Sequence, residues 1–355
     1  MTRIHLPLRP PPIEIDTDIR WVLSAAFAQP YSDAILPASP ERASKFIEVA
    51  SLLNPVVSRL NPAQLSRALT PETQQRLSQQ LRHRVLRSLA VSQTRELVCA
   101  AANEAFIGIA LLKQAALETL RLATPESRYA TDVDILLHPK DLLLFSAALE
   151  RGGLSLEKGK RHAHGVKVLR TATGIGVELH TRIADLHLGD ASEVTFESLR
   201  EQKLLQPRGP SEPYVMIPPL EVIAAQLIVQ GWYLFHYVPN APGHKSPFRV
   251  LADMQLLRLH ENPDLAKRTY SFISGNVPEN EYFGLISLVL RLSKNDPNNF
   301  GAHSRRLLSH AIASQLDHAY RRRLLFPRQL DAIRREGLLD YTRRQLTRVR
   351  RALRK

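Results

Sequence analysis

Cysteine is nearly absent from this sequence, whose 355 residues contain a single one, Cys99. One thiol cannot form a disulfide within the chain, and it cannot build a cluster of thiolate metal ligands. The neighbours of Cys99 in residues 97–100 are mostly apolar, so we predict a small, buried and unreactive side chain.

Long apolar runs are also lacking. Prolines at positions 7 and 10–12 interrupt the start of the chain and acidic residues follow, which is not the pattern of a signal peptide. The most apolar later stretch, residues 220–238, contains Glu221, Gln226, Gln230 and His236 and falls short of a membrane-spanning helix. We therefore expect a soluble, cytoplasmic protein without a transmembrane segment.

The composition does provide for a hydrophobic core, since 44% of the residues are hydrophobic. A chain of this length can bury one central domain together with helical extensions. The net charge of +14 is uneven, because residues 305–355 hold 15 Lys and Arg against 4 acidic residues. This basic tail indicates either an anionic partner or a solvated basic helical surface.

The first part of the chain, residues 1–104, is predicted to be a helical region. Residues 18–29 have the pattern of a short amphipathic helix. A second helix should begin at Thr70-Pro71-Glu72, which combines a capping residue, an early proline and an acid in the first turn. Its helical spacing continues to about Glu104, with a predicted break near residues 91–92.

The next part, residues 105–206, is predicted to be an α/β core. Apolar runs at residues 106–112 and 131–137 indicate strands, each followed by a helical segment, and Gly152-Gly153 should end the second helix. Residues 164–170 and 175–181 flank a turn and indicate a hairpin. Residues 207–210 have the composition of a linker, and residues 207–355 should form a C-terminal helical domain that ends in the Arg-rich tail. The predicted class is α+β.

Acidic residues in two of the predicted strands suggest a metal site. Side chains alternate along a strand, so Asp132 and Asp134 share one face. Paired carboxylates suit Mg²⁺, although a solvated strand end would show the same pattern. Glu178 shares a face with His180 in another apolar strand and supplies the third carboxylate of a site for two metals that act on phosphate esters. Lys113, at the end of the first strand, could meet a phosphate.

The order of these pieces resembles the uncharacterised bacterial nucleotidyltransferase family of the polymerase-beta-like superfamily. The resemblance rests on residues 111–117, on Arg128 ahead of residues 132–137, on Val177-Glu178-Leu179-His180, and on residues 248–253. It covers roughly residues 75–260. It implies a small mixed sheet backed by helices, with a helical domain that closes the cleft.

The resemblance also implies an activity and roles for particular residues. The activity would be transfer of a nucleoside monophosphate from an NTP, such as ATP, to a hydroxyl or phosphate of an unknown acceptor. Asp132 and Asp134 would bind two Mg²⁺ ions, with Mn²⁺ as an alternative, and Glu178 would bind the ion that activates the acceptor. The implied substrate-binding residues are Lys113, Gln114, Arg128, His180, Arg249 and Asp253.

Three of these positions have alternative interpretations. Gln114 stands where the family has glycine, which lets a backbone approach phosphate without a side chain in the way. This departure favours a non-catalytic nucleotide-binding protein with a degenerate site, whereas the three intact acids favour an enzyme. Arg249 and Asp253 could instead form an ion pair that packs helices.

Two basic segments suggest further partners. In residues 338–354 a set of Leu, Thr and Val residues recurs at steps of three and four while arginines lie mostly on the remaining surface, which is typical of a basic amphipathic helix. Such a helix could offer its arginines to RNA, which we favour, or lie on an anionic membrane surface. The lysines, arginine and histidines of residues 158–167 form a basic loop that could face an anionic substrate or solvent.

Overall fold

The computed structural model describes residues 15–29, 31, 35–156, 167–183, 186–188, 193–236, 246–295 and 302–316. Thirteen α-helices and nine strands lie within these ranges, and a mixed sheet stands between N-terminal and C-terminal helices. The predicted α+β class is confirmed. The predictions for the basic loop at residues 157–166 and for the tail at residues 317–355 lie outside the described residues.

Five helices precede the sheet: α1 Thr17–Phe27, α2 Pro40–Val49, α3 Leu53–Val57, α4 Pro62–Ala68 and α5 Pro71–Glu104. The predicted start of α5 is confirmed, because the Thr70 side chain accepts a hydrogen bond from the backbone N–H of Thr73. The predicted break near residues 91–92 is wrong. The Ser92 hydroxyl donates to the Ser88 carbonyl one turn back, so this polar residue stays within an unbroken helix.

Seven strands form the main sheet: β1 Ile109–Leu111, β2 Asp132–Leu137, β3 Ser155–Leu156, β4 Lys167–Arg170, β5 Gly176–His180, β8 Gln206–Pro207 and β9 Val215–Ile217. Their order is β3-β4-β5-β2-β1-β9-β8. Strand β2 runs parallel to β5 and antiparallel to β1. A separate two-stranded sheet pairs β6 Arg182–Ile183 with β7 Val194–Thr195.

Local sequence explains most of these strands. The predicted hairpin is confirmed where it is described, since β4 and β5 pair antiparallel and Gly174 turns with a φ of 78°. The first strand is shorter than predicted, because Phe106 has a φ of 56° in the link after α5 and is 73% exposed. Strands β8 and β9 were not predicted. They place residues 206–217 in the main sheet, where a linker and helices were expected.

Two helices and one 3-10 turn follow strands of the sheet: α6 Lys113–Thr119, the turn Pro139–Asp141 and α7 Leu142–Arg151. Helices α5 and α6 pack against β2. The predicted helix opening at His138-Pro139 is confirmed, with His138 capping the 3-10 turn and Gly152 capping α7. Helix α8, Phe196–Glu201, comes after β7.

Five helices follow the sheet: α9 Leu220–His236, α10 Pro247–Leu256, α11 Pro263–Ser271, α12 Glu279–Ser293 and α13 Ala302–Leu316. They pack directly on the N-terminal helices. Helix α1 contacts α10 and α12, the Gln255 side chain donates to the Phe27 carbonyl at 2.6 Å, and the rings of Phe46 and Phe248 meet edge to face. One hydrophobic core therefore joins both ends of the described chain to the sheet. No helix within the described ranges is long and apolar enough to cross a bilayer.

Candidate active site

Four polar side chains lie on one face of the pair β2 and β5. The two strands are parallel, and their register places Asp134 opposite Glu178 and Asp132 opposite Gly176. His180 stands two residues after Glu178 and so shares its face. The His180 Nε2 atom lies 2.9 Å from Asp134 Oδ1 and 3.6 Å from Glu178 Oε2. The structure thus brings together acidic residues of two strands, although Glu178 follows Asp132 and Asp134 by more than 40 positions in the sequence.

The chemistry of these side chains fits a divalent cation. Ligand atoms of Asp134, Glu178 and His180 all lie within 4.8 Å of one another. Carboxylate oxygens suit Mg²⁺ and Mn²⁺, and a histidine nitrogen is a common further metal ligand. Asp132 is outside this closest group but lies one pleat away on the same face of β2. Sequence reasoning placed His180 with the substrate, whereas the geometry places it among the candidate metal ligands.

Charge is concentrated around Asp134. Burial raises the pKa of Asp132 and of Glu178, and the negative charge of Asp134 raises both further. Burial acts on Asp134 in the same direction, but the Lys113 ammonium and His180 outweigh it and hold the pKa of Asp134 well below its usual range. Asp134 is therefore a carboxylate at neutral pH, beside two acids that a bound cation would stabilise in their ionised form.

Lys113 contacts this carboxylate directly, with its ammonium on Asp134 Oδ1. Burial would lower the pKa of Lys113, but the charges of Asp134, Asp132 and Glu178 outweigh burial and raise it. The residue begins α6 immediately after β1, with a φ of 47°. The left-handed backbone position of this turn is therefore occupied by the lysine itself, one residue before Gln114.

Gln114 is buried, and its side chain makes two hydrogen bonds inside the protein. Its amide nitrogen donates to Glu118 Oε1 at 2.8 Å, and its amide oxygen accepts from Arg128 Nη1 at 3.0 Å. Gln114 is only 3% exposed. The glutamine side chain therefore has a definite structural place inside the protein, between α6 and the loop before β2.

Arg128 forms a two-pronged ion pair with Asp253 on α10. The distances are 2.7 Å from Nε to Oδ1 and 3.1 Å from Nη2 to Oδ2, and both side chains are 7% exposed. Asp253 therefore forms an ion pair that packs α10, as one interpretation of the sequence predicted. That interpretation named Arg249 as the partner, whereas the residue that binds both oxygens of Asp253 is Arg128. Because three nitrogens of Arg128 are already bonded within the protein, the geometry favours a role in positioning the loop before β2.

The hydrogen bonds around Arg128 continue into α5. Glu118, which accepts from Gln114, also accepts from Arg95 at 2.6 Å. It lies 2.7 Å from the Ser92 hydroxyl oxygen, whose single proton it shares with the Ser88 carbonyl at 3.1 Å. This network connects α10, the loop before β2, α6 and α5. Sequence analysis missed Glu118 and Arg95. The available signal was the spacing of four residues between Gln114 and Glu118 on one helix.

Arg249, on α10, holds the same loop from another side. Its Nη2 donates to the backbone carbonyl of Tyr129 at 3.1 Å. Burial and then the charge of Arg128 lower the pKa of Arg249 to about 10. The positive charge of Arg249 also opposes the upward shift in the pKa of Asp132. This guanidinium therefore lies within electrostatic reach of the carboxylates.

Comparison with known protein families gives a match over much of the chain. The model of a family described as "Uncharacterised nucleotidyltransferase" matches residues 37–256, which is more than half of the chain. The matched segment runs from the N-terminal helices through the sheet to the end of α10, so it contains Lys113, Asp134, Glu178 and Asp253. A search of curated proteins found no match.

Proposed function

The chain belongs to this family of nucleotidyltransferases, and from that premise we propose that it transfers a nucleoside monophosphate from an NTP to a hydroxyl or phosphate of an acceptor. The observation that carries the proposal is the register of β2 and β5, which sets Asp134 opposite Glu178 with Asp132 on the same face. Three acidic residues on one face, with a partly buried lysine among them, suit the chemistry of phosphate esters.

Asp132, Asp134 and Glu178 would hold the divalent cations, two Mg²⁺ or Mn²⁺ ions, and His180 is placed to complete the ligand set of one of them. The ions would neutralise phosphate oxygens and favour the ionised form of the attacking oxygen. The protein fixes the ligands on two hydrogen-bonded strands, so their spacing changes little when substrate binds. The catalytic residues of the proposal are the three acids.

Lys113 is the residue best placed to meet a phosphate group. Its flexible side chain carries three donors, and its ammonium already lies on Asp134, the carboxylate to which we assign a phosphate-binding cation. Rotation about the side-chain bonds would move these donors from Asp134 to a phosphate oxygen. Gln114, Arg128 and Asp253 act behind it as positioning residues, since their side chains bond to one another.

The nature of the acceptor is open to two proposals. A small molecule is one acceptor class. RNA is the other, and it is supported by the 15 Lys and Arg of residues 305–355. A non-catalytic nucleotide-binding protein is the alternative to an enzyme, and the three acids on one face argue against it.

The proposal is tested by incubating the purified full chain with NTPs labelled in the α-phosphate, Mg²⁺ and a cell extract as the source of acceptor. We expect the wild-type protein to label a product. Asp134→Asn and Glu178→Gln should each abolish labelling, while both keep the wild-type circular dichroism spectrum. The matched control is Glu150→Gln, which neutralises an exposed carboxylate on α7 and should retain full turnover.

Turnover by Asp134→Asn or Glu178→Gln at more than a few per cent of the wild-type rate would refute the assignment of these acids. Binding provides a second measurement. If Glu178 serves mainly the acceptor side, Glu178→Gln should bind NTP with Mg²⁺ more tightly than Asp132→Asn or Asp134→Asn does. Equal loss of NTP affinity in all three variants would contradict that division of roles.

A further inference from the structure

A cavity lies between the N-terminal helices and α10, on the other side of the loop that leads into β2. Its volume is about 140 Å³, whereas a water molecule needs roughly 10–15 Å³ of such space. Its charged and aromatic lining consists of Arg59, Arg84, Arg128, Tyr129, Arg249 and Asp253. None of the three candidate catalytic acids lines it. The cavity therefore has room for a polar ligand group and is separate from the carboxylate face.

The lining of the cavity is strongly cationic, with four arginines and one aspartate. Asp253 is already engaged in its two-pronged pair with Arg128. Arg84 donates to the Asn54 side chain at 3.2 Å and lies over the Tyr129 ring, and Arg59 reaches the Ala28 carbonyl at 3.5 Å. Among the described residues neither Arg59 nor Arg84 has a carboxylate within ion-pair distance.

Burial of these cations has a cost. Burial lowers the pKa of Arg59 and of Arg84, and it lowers the pKa of Arg249 together with the charge of Arg128. Guanidinium groups in a partly desolvated cavity gain most from an anion that brings charge and several acceptor oxygens at once. A phosphate group has this chemistry, and the planar guanidinium can bind it through two parallel hydrogen bonds.

The cavity is connected to the catalytic strand through one loop, residues 124–131. Asn54 donates to the Glu126 carbonyl at 2.7 Å, Arg84 covers the Tyr129 ring, and Arg249 holds the Tyr129 carbonyl. Asp132 begins β2 directly after this loop. A group bound in the cavity would therefore touch the residues that set the position of Asp132.

We propose that this arginine cavity is a phosphate-binding subsite, which takes a phosphate group of a substrate while the reacting phosphate lies at the carboxylate face. The assignment of the cavity to a substrate phosphate rests on the proposed function, whereas the prediction that the cavity binds phosphate does not. The group could belong to the NTP or to the acceptor. Arg59 and Arg84 are the binding residues that the subsite adds to the site. Arg249 lines the cavity and also interacts electrostatically with the carboxylates of Asp132 and Asp134.

The test is titration of the full-length protein with inorganic phosphate and with pyrophosphate, in buffer with EDTA and at constant ionic strength. Calorimetry and thermal unfolding give the affinities. Arg59→Gln and Arg84→Gln should each weaken binding about tenfold, the usual effect of losing one charge-assisted hydrogen bond. Arg84→Lys keeps the charge and should weaken binding less. The matched control, Arg82→Gln, changes an exposed arginine on the same helix and should bind as the wild type does.

The substrate that supplies the phosphate is identified by NTP titration in the presence of Mg²⁺. A fall in NTP affinity in Arg59→Gln and Arg84→Gln assigns the subsite to the nucleotide. Unchanged NTP affinity, with a raised KM for the acceptor, assigns it to the acceptor. Asp134→Asn, which lacks turnover under the proposed function, should still bind phosphate, so failure of catalysis and failure of the subsite are separable.

Two results would overturn the subsite. The first is the absence of saturable phosphate or pyrophosphate binding by the wild-type protein. The second is an equal affinity in Arg59→Gln, Arg84→Gln and Arg82→Gln, which would assign the binding to basic residues outside the cavity. Unfolding of Arg84→Gln would not leave the question open, because Arg59→Gln and Arg84→Lys test the same cavity.

Discussion

The pair between Arg128 and Asp253 gives the sharpest prediction about what holds the site together. Both side chains are 7% exposed, and Gln114 occupies a third nitrogen of the arginine. Removal of one partner leaves a buried charge without compensation. Arg128→Gln or Asp253→Asn should therefore lower the free energy of unfolding by about 3–5 kcal/mol. Guanidinium denaturation of the full chain, followed by the fluorescence of buried Trp21, measures this loss.

A double-mutant cycle shows whether the loss belongs to the pair. Arg128→Gln combined with Asp253→Asn removes both charges, so its cost should be smaller than the sum of the single costs by roughly 1–3 kcal/mol. The control pair is Arg200 with Glu197, at 3.2 Å but with side chains 60% and 44% exposed. Its single variants should cost at most about 0.5 kcal/mol. Additive losses at Arg128 and Asp253, or single losses as small as those of the control, would refute the argument from burial.

Three further predictions follow from the same physical reasoning. In EDTA, Asp132→Asn should be more stable than the wild type at pH 7, because a raised pKa means that the ionised carboxylate destabilises the fold. This gain should vanish as the pH falls below about 4, and unfolding curves across pH check it. A variant less stable than the wild type at pH 7 would contradict it. Gln114→Gly should preserve NTP affinity but lose about 1–3 kcal/mol of stability, since Arg128 and Glu118 each lose a buried partner; unchanged stability would count against the network. Deletion of residues 338–355 should flatten the slope of log RNA affinity against log salt by roughly 0.7–0.9 for each lost phosphate contact, and an unchanged slope would leave the tail without a role in RNA binding.

The elements that could be predicted from sequence are those with local signals. The Thr70 cap, the glycine turn at Gly174 and the strand signal in residues 132–137 act over a few residues, and the structure confirms each. Strand β9 has three residues, too few to show a period, and its pairing with β1 depends on partners a hundred positions away. The break predicted in α5 failed because the Ser92 hydroxyl finds an acceptor within the helix.

The features of the candidate site also fall into those that local sequence predicts and those that only the folded structure shows. The shared face of Asp132 and Asp134 follows from strand geometry, and so does the shared face of Glu178 and His180. The register that puts Glu178 opposite Asp134 is a property of the folded sheet. The arginine cavity could not be predicted from the sequence, since Arg59 lies in the turn after α3, Arg84 lies on α5, and both meet Arg249 only through the packing of α10. Nothing in the spacing of these arginines distinguishes them from the other basic residues of a chain that contains 48 Lys and Arg.

The position of the transferred phosphorus tests the central claim most directly. The purified protein is incubated with Mg²⁺, cell extract and one NTP labelled either in the α-phosphate or in the γ-phosphate. The account predicts that the α-label alone enters the product, that pyrophosphate is released, and that Asp134→Asn shows neither. Transfer of the γ-label, or α-labelling that persists in Asp134→Asn, would contradict nucleotidyl transfer at these carboxylates.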